Sequence, residues 1–581
     1  MNTLSKIPAY LKRCGIFVFV LLFVLMPLQN DATLQNGVIV SKTFFFTEGI
    51  MLLLLIGCVI WLLSDGRVWL SISRIDVVLT LLTIYIILRS DGRTTPRMIE
   101  LLALYCCYVL LRRSRWRHFL FLLYALSVAG IIQSVYGLLQ LYNILPSHSQ
   151  FRLTGTMFNL GAYAAFIALS AIVSLVLVFY FKEKRYSIIP QLNVVLAVII
   201  LPISQNRAAW MAVIVAGVFL YAHLKRKYVH YGLLIVAGVL VLAGGYFLKK
   251  DSADGRVLVW KVTSQMISGE PVTGIGYDRF AARYMNHQAD YMQSAAPAGE
   301  KQLADNVYYA FNDLLQLTAE LGIPGGIGIL GLILICFSIK GHNNFRYAGQ
   351  GIIVGYIIIG MFYYPHFILP LKMIGITGLA MLSRLDTSAV YSVRITQMPR
   401  LLLVFLIVIF GITGVVMIEQ RKVAYQQWRQ AELMYQQQRI SESLQYYREA
   451  VTVLPKDGEL LSAAGKAYFL ADSLEKAADY LQQSRQYLNN TVIETTLGDI
   501  SMQQGQYVAA EGYYQKALHM VPNRFYTEYM LLKLYVASNE NDKACSKANV
   551  ILQKQVKVSS TAVQQIQDSA RAYYANNKCH R

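Results

Sequence analysis

Residues 428–455 read WRQAELMYQQQRISESLQYYREAVTVLP, and the pattern returns three times further along the chain. In steps of 33–34 residues one position reads Ala431, Gly465, Gly498 and Leu532. Twelve residues on stand Ser443, Ala477, Ala510 and Ala544. Nineteen on stand Ala450, Ser484 and Ala517, with Ile551 in a degraded fourth copy. Twenty-four on stand Pro455, Asn489 and Pro522. Small residues at these offsets let two helices of one repeat approach closely, and the Pro ends the second helix. The stretch 419–581 therefore reads as an α-solenoid, with its repeats at about 425–555. Loss of the pattern in the last copy is expected of a terminal repeat.

The spacing is that of the tetratricopeptide repeat. The 418 residues before it have another character. Of 581 residues, 55% are hydrophobic and 15% charged, against about 25% charged in an ordinary soluble protein. The apolar excess lies almost wholly before residue 419 and divides into thirteen segments, roughly 14–30, 46–63, 75–89, 98–111, 118–142, 157–181, 187–203, 208–223, 230–248, 313–338, 347–364, 366–383 and 400–418. Several are shorter than the roughly 20 residues needed to cross squarely. Lys6, Lys12 and Arg13 precede the first, which reads as an uncleaved membrane helix. The expected fold is all-α: a polytopic bundle of about 12–13 spans over 1–418, then the solenoid over 419–581.

The net charge of +20 does not point to nucleic acid, because the basic residues sit in short clusters between apolar runs. Those clusters alternate. Arg67 and Arg74, Arg112 to Arg117, Lys182 to Arg185, Lys225 to Lys227, Lys340 and Arg346, and Arg384 to Arg400 fall on one side. The positive-inside rule makes that side cytoplasmic. Segments 31–45, 90–97, 143–156, 204–207, 249–312 and the turn near 365 are then external. An odd span count also places the repeats outside, where Cys545 and Cys579 are free to pair. The other five Cys lie in or beside apolar runs, without metal-ligand spacing.

Three arginines of the external segments stand out by their place. Arg152 precedes span six, Arg207 stands at the mouth of span eight, and Arg256 lies early in the long loop. An arginine at a membrane boundary is costly without an anion or a route to water, and its planar fork suits phosphate oxygens. Three converging arginines suit a lipid pyrophosphate; singly, each also suits a headgroup anchor.

Four stretches carry a resemblance. Arg152-Leu-Thr-Gly-Thr-Met-Phe-Asn159 looks like the Arg-x-x-Gly-Thr-Phe-x-Asn segment of the O-antigen ligase and Wzy polymerase superfamily. Asn206-Arg207-Ala-Ala-Trp210 is similar to its Ser-Arg-Ala-Ala-Trp segment. Pro271-Val-Thr-Gly274-Ile-Gly276-Tyr-Asp-Arg-Phe280 resembles its Pro-x-x-Gly-x-Gly-x-x-x-Phe stretch. Phe311-Asn312-Asp313-Leu-Leu-Gln316-Leu-Thr-Ala-Glu320-Leu-Gly322 looks like its His-Asn-x-x-Leu-x-x-x-x-Glu-x-Gly segment. The resemblance covers about residues 150–385.

It implies a GT-C-type membrane glycosyltransferase at the periplasmic face of a bacterial inner membrane. The donor would be a glycan on undecaprenyl pyrophosphate; the acceptor would be a glycolipid core, a growing glycan or a protein Ser/Thr. Arg152, Arg207 and Arg256 would hold the pyrophosphate, with no metal and no cofactor. The family's His falls at Phe311, which cannot take a proton. The substitutes are the other external histidines, His148, His287 and His366, and also Asp305, Asp313 or Glu320. Two other readings stay open: a polysaccharide polymerase, and a non-catalytic scaffold that recruits a protein partner through its repeats.

Overall fold

The computed structural model describes residues 7–63, 68–147, 151–181, 183–224, 250–294, 296–341, 343–386, 388, 391–395, 397–557, 559–577 and 579. From the N-terminus run α1 (Ile7–Leu25), α2 (Gly37–Leu62), strand β1 (Val68–Ile72), α3 (Arg74–Leu88), α4 (Pro96–Arg112), α5 (Trp116–Leu141), α6 (Leu160–Tyr180), α7 (Ile188–Ser204) and α8 (Arg207–Leu224). Then come α9 (Lys250–Gly269), α10 (Phe280–Ser294), α11 (Ala298–Leu303), α12 (Asp313–Ser338), α13 (Asn344–Phe362), α14 (Leu369–Leu385), strand β2 (Tyr391–Ile395) and α15 (Gln397–Gln436). The solenoid follows: α16 (Ile440–Val453), α17 (Gly458–Leu470), α18 (Leu474–Arg485), α19 (Thr491–Gln503), α20 (Tyr507–Met520), α21 (Phe525–Ala537), α22 (Asn541–Gln553) and α23 (Thr561–Asn576).

Two compact units result: residues 1–248, 311–317 and 323–426 form one, and residues 249–310, 318–322 and 427–581 the other. The units do not follow a linear cut at 418, because α15 runs unbroken through that point.

Twelve of the thirteen apolar segments carry a helix; the segment 230–248 lies outside the described residues. Eight of the described helices, α1, α2, α5, α6, α8, α12, α13 and α15, are long and apolar enough to cross a membrane. Helix α6 is the buried centre of the first unit, where Ala164, Ala165, Ala168, Ser170 and Ala171 among larger side chains let neighbours approach. By contrast, α15 exposes Leu402, Phe405, Leu406 and Ile412, as a lipid-facing helix does. The all-α expectation has one exception. Strands β1 and β2 pair antiparallel from Val68↔Ile395 to Ile72↔Tyr391, joining two of the basic turns. Beside this ribbon Arg74 bonds Asp386 at 3.0 Å and Arg112 meets Asp76 at 3.4 Å. The basic turns thus keep carboxylates of their own.

In the second unit the repeat columns become buried seams. Ala431, Ser443, Ala477, Ala510, Ala544, Ala450, Ser484, Ala517 and Ile551 are all fully buried. A Cβ on Gly465 would lie 2.7 Å from Leu481, and one on Gly498 2.5 Å from Tyr514, so the glycines there are a matter of space.

The long external segment is helical and shares a core with the repeats. Val262, Met266, Phe280, Tyr284 and Met285 cluster with Met520 and Val521. Gln288 Nε2 donates to the Met520 carbonyl at 2.6 Å, and Asn523 Nδ2 to the Gln302 carbonyl at 2.7 Å. The repeat's Pro column explains part of this docking. Its middle copy is Asn489, whose backbone N–H donates to the Ala281 carbonyl at 3.1 Å. Its side chain donates to Asn286 Oδ1 at 2.9 Å. A proline at that position would have no N–H to give. Asn489→Pro is therefore expected to loosen the segment 270–310 by about 1–3 kcal/mol, read as faster limited proteolysis there with the repeat helices intact. Equal proteolysis rates would show that this hydrogen bond does not hold the segment.

Because segment 249–310 and the repeats share one core, they lie on one side of the membrane. Cys545 of α22 is bonded to Cys579 beyond α23, closing a separation of 34 residues. The α23 cap covers Ala544, Ala548 and Ile551. On chain entropy, opening this loop costs at most about 3–4 kcal/mol. Cys545→Ser is expected to lower the melting temperature of the repeat unit and to speed amide exchange in α23 first. Unchanged exchange in α23 would rule out that role for the bond.

Candidate active site

Helix starts in the first unit bring the conspicuous residues of the sequence together. Asn159 caps α6, accepting from the Ala162 N–H at 2.8 Å. Its Nδ2 donates to Tyr364 Oη at 3.0 Å, and its Oδ1 accepts from Tyr363 Oη at 2.7 Å. The two tyrosine rings stack at 4.1 Å, and Tyr364 meets Phe311 edge-on at 5.5 Å. Phe311 has φ +52°, a left-handed residue that turns the chain into α12. Asn312 then caps α12, accepting from the Leu315 N–H at 3.0 Å, while its Nδ2 donates to the Met361 carbonyl at 3.2 Å. These bonds fix the turn 363–367 against the start of α12.

On that turn, His366 bonds Asp313 through its Nδ1 and again through its backbone N–H at 3.2 Å. Beside it the Arg97 guanidinium lies 3.9 Å over the Phe367 ring. Burial, then the positive charges of Arg97 and Lys372, hold the His366 imidazole well below its usual 6.5. The ring is therefore neutral near pH 7, and its Nδ1–H donates to the Asp313 carboxylate. The contact is a hydrogen bond of a neutral imidazole, since an ion pair would need the protonated ring.

The Arg152–Asn159 stretch is held by buried amides of α5. Gln140 Oε1 accepts from the Thr154 and Gly155 N–H groups at 3.1 and 2.7 Å, and Gln133 Oε1 from Thr156 N–H at 3.2 Å. Lys42 donates to the Thr156 carbonyl at 2.8 Å. Arg152, at the head of this stretch, is exposed. Arg207 is the first residue of α8 and half-buried; Asn206 before it accepts from the Ala209 N–H at 3.1 Å. Trp210 Nε1 donates to the Leu201 carbonyl at 2.5 Å, anchoring the helix start.

The Gly274-x-Gly276 stretch and the Glu320-x-Gly322 stretch meet within the second unit. Ile275 and Gly276 N–H donate to the Ala319 and Glu320 carbonyls at 2.9 and 3.0 Å. Gly322, φ +73°, breaks the helical path of α12 ahead of Pro324. Glu320 is fully buried, and its Oε2 accepts from the Asp278 N–H at 3.0 Å. This bond makes it an anchor of the external segment. Arg256 is half-buried on α9, and Trp260 one turn on donates to the Ala310 carbonyl at 3.0 Å. His287 is half-buried on α10, its imidazole lowered chiefly by burial. Asp305 faces Arg524 at 3.7 Å.

The structure thus gathers Asn159, Phe311, Asn312, Asp313 and His366 in the first unit, with Arg152 ahead of α6 and Arg207 at the start of α8 in the same unit. Arg256, His287, Gly274, Gly276 and Glu320 belong to the second. Sequence reasoning passed over Tyr363, Tyr364 and Arg97. Arg97 lies in the external segment 90–97 beside Asp91 and Arg93, where nothing in the sequence alone separates it from its charged neighbours.

These features define a polytopic membrane protein with a repeat solenoid and a polar site at its helix starts. Residues 192–330, which include α8 and the start of α12, match the family model described as O-Antigen ligase. No curated protein matches. Among solved structures the chain is similar to YrrB, "a TPR protein with an unusual peptide-binding site", at 17% identity over 27% of this chain and 80% of that one, with a TM-score of 0.23. The MamA protein is similar at 16% identity over 28% and 93%, TM-score 0.22. The APC/C hetero-tetramer Cut9-Hcn1 is similar at 10% identity over 92% and 87%, TM-score 0.23. The ligase segment marks the chain as one of glycan transfer at a membrane.

Proposed function

We propose that this protein moves a glycan from an undecaprenyl-pyrophosphate donor to an acceptor at the periplasmic face of a bacterial inner membrane. The observation that carries the reading is the ligase segment at 192–330, which contains Arg207, Arg256, Asn312 and Asp313 in a chain of membrane helices. An acceptor hydroxyl attacks the anomeric carbon, the bond to the pyrophosphate oxygen breaks, and its electron pair leaves with the lipid pyrophosphate. Arginines aimed at those oxygens stabilise the charge as it develops. The Cys545–Cys579 bond fits an oxidising compartment for the second unit. On this reading the repeats act first as a cradle for the segment that bears Arg256. A non-catalytic scaffold is the second reading, favoured by Phe311 at the family's His position.

The test is the full-length protein in detergent with a synthetic undecaprenyl-pyrophosphate disaccharide. It is offered lipid A core, a Ser/Thr-rich peptide, or no acceptor, with product masses recorded. Transfer to one acceptor establishes catalysis and selects a glycolipid or a protein substrate. A ladder without acceptor means a polymerase. An intact donor with a folded protein sinks the enzyme reading.

A further inference from the structure

The Asp313–His366 pair has one nitrogen accounted for and one without a partner. His366 is only 9% exposed, and its Nδ1 is taken by Asp313. Its Nε2 is buried with no hydrogen-bond partner among the described residues. A buried polar atom left unsatisfied costs about 1–3 kcal/mol, so a purely structural histidine accounts poorly for it. Its place is informative too. Phe311 lies two residues before Asp313 and against Tyr364, two residues before His366. The start of α12 and the 363–367 turn therefore border one another at the position where a proton acceptor is missing from the chain.

We infer that His366 is the general base of this site, with Asp313 as its positioning residue, so that the imidazole comes from the α13–α14 turn. The inference rests on the glycan-transfer reading. As the acceptor oxygen bonds the anomeric carbon, its proton passes to Nε2, and the pyrophosphate departs with the electron pair of the broken bond. The imidazolium so formed is stabilised by the Asp313 carboxylate and returns its proton to solvent or to the leaving pyrophosphate. Asp313 fixes the tautomer that leaves Nε2 bare, the role a carboxylate plays behind a histidine base. The charged groups about the ring are Arg97 from α4, Lys372 from α14, itself paired with Glu100, and Asp313 from α12. Burial first, and then the two cations, keep the resting ring unprotonated.

The experiment uses full-length protein in detergent with the undecaprenyl-pyrophosphate disaccharide and the lipid A core and peptide acceptors. Donor Kd and single-turnover rate are followed across pH. His366→Gln should lose roughly 100-fold or more in transfer while donor Kd stays within about twofold. Wild-type transfer should fall only below pH 6.5, the usual value for histidine. Arg97→Gln removes a cation beside the ring, so this acid limb should move to higher pH. Asp313→Asn should slow transfer at every pH. Transfer by His366→Gln within about threefold of wild type overturns the assignment. If that variant does not fold, an acid limb unmoved in Arg97→Gln overturns it instead. A wild type that binds no donor sinks the glycan-transfer reading itself, which is a separate result.

Discussion

On the glycan-transfer reading proposed above, alanine at Arg207 or at Arg256 is expected to lower single-turnover transfer by about 100- to 1000-fold, the cost of removing one donor to a developing oxyanion. Arg207 is the first residue of α8, where the helix dipole already favours an anion, and Asn206 and Trp210 hold that helix start in place. Arg256 stands on α9, in the unit stiffened by the shared core of loop and repeats. The loss should fall mainly on the rate. Charge on the bridging oxygen grows as the bond breaks, and an interaction made only then lowers kcat more than it raises KM. Lysine at either position should recover little, since it lacks the planar fork. Arg152 is exposed, and its alanine variant should cost only a few-fold by the same measure. A double variant that transfers at the wild-type rate would remove the pyrophosphate assignment.

The parts of the fold legible in the sequence were those set by local periodicity. Columns 33–34 residues apart located the solenoid, because each small residue there faces its partner helix within one repeat. Apolar runs located the spans for the same reason. What was not legible depends on contacts far apart in the chain. The β1–β2 ribbon joins five-residue strands more than 300 positions apart, and such short runs carry little period. The external segment read as a loop because its helices are amphipathic toward the repeats. Only the docked Asn489 and Met520 show which face is inward. At the site, His366 and Asp313 were visible as residues but not as a pair, since 53 positions separate them. Tyr363 and Tyr364 look like any aromatic residues at a membrane boundary until Asn159 is seen between their hydroxyls.

Gly322→Ala should be the most damaging single methyl added to the second unit. Gly322 has φ +73°, a region that costs a side chain about 1–2 kcal/mol. Its new Cβ would also lie 2.2 Å from the Val272 carbonyl oxygen, a backbone atom that cannot swing aside. The reciprocal change is as tight: a Cβ on Gly274, φ +65°, would stand 2.4 Å from the Gly322 nitrogen. Either substitution must push the 272–276 stretch away from 319–322, breaking the bonds from Ile275 and Gly276 to Ala319 and Glu320. Glu320 then loses its hold on Asp278, and the segment that carries Arg256 loses its anchor. The expected result is amide exchange at Ile275 and Gly276 faster by roughly 100-fold, equivalent to about 3 kcal/mol of lost protection. Transfer should fall with it. Gly299→Ala is the control, since nothing lies within 4 Å of its Cβ position and it sits in the helix α11. There the same methyl should stabilise by up to about 1 kcal/mol. If Gly322→Ala leaves exchange at Ile275 unchanged, the close approach of the two glycine stretches is not what holds the external segment.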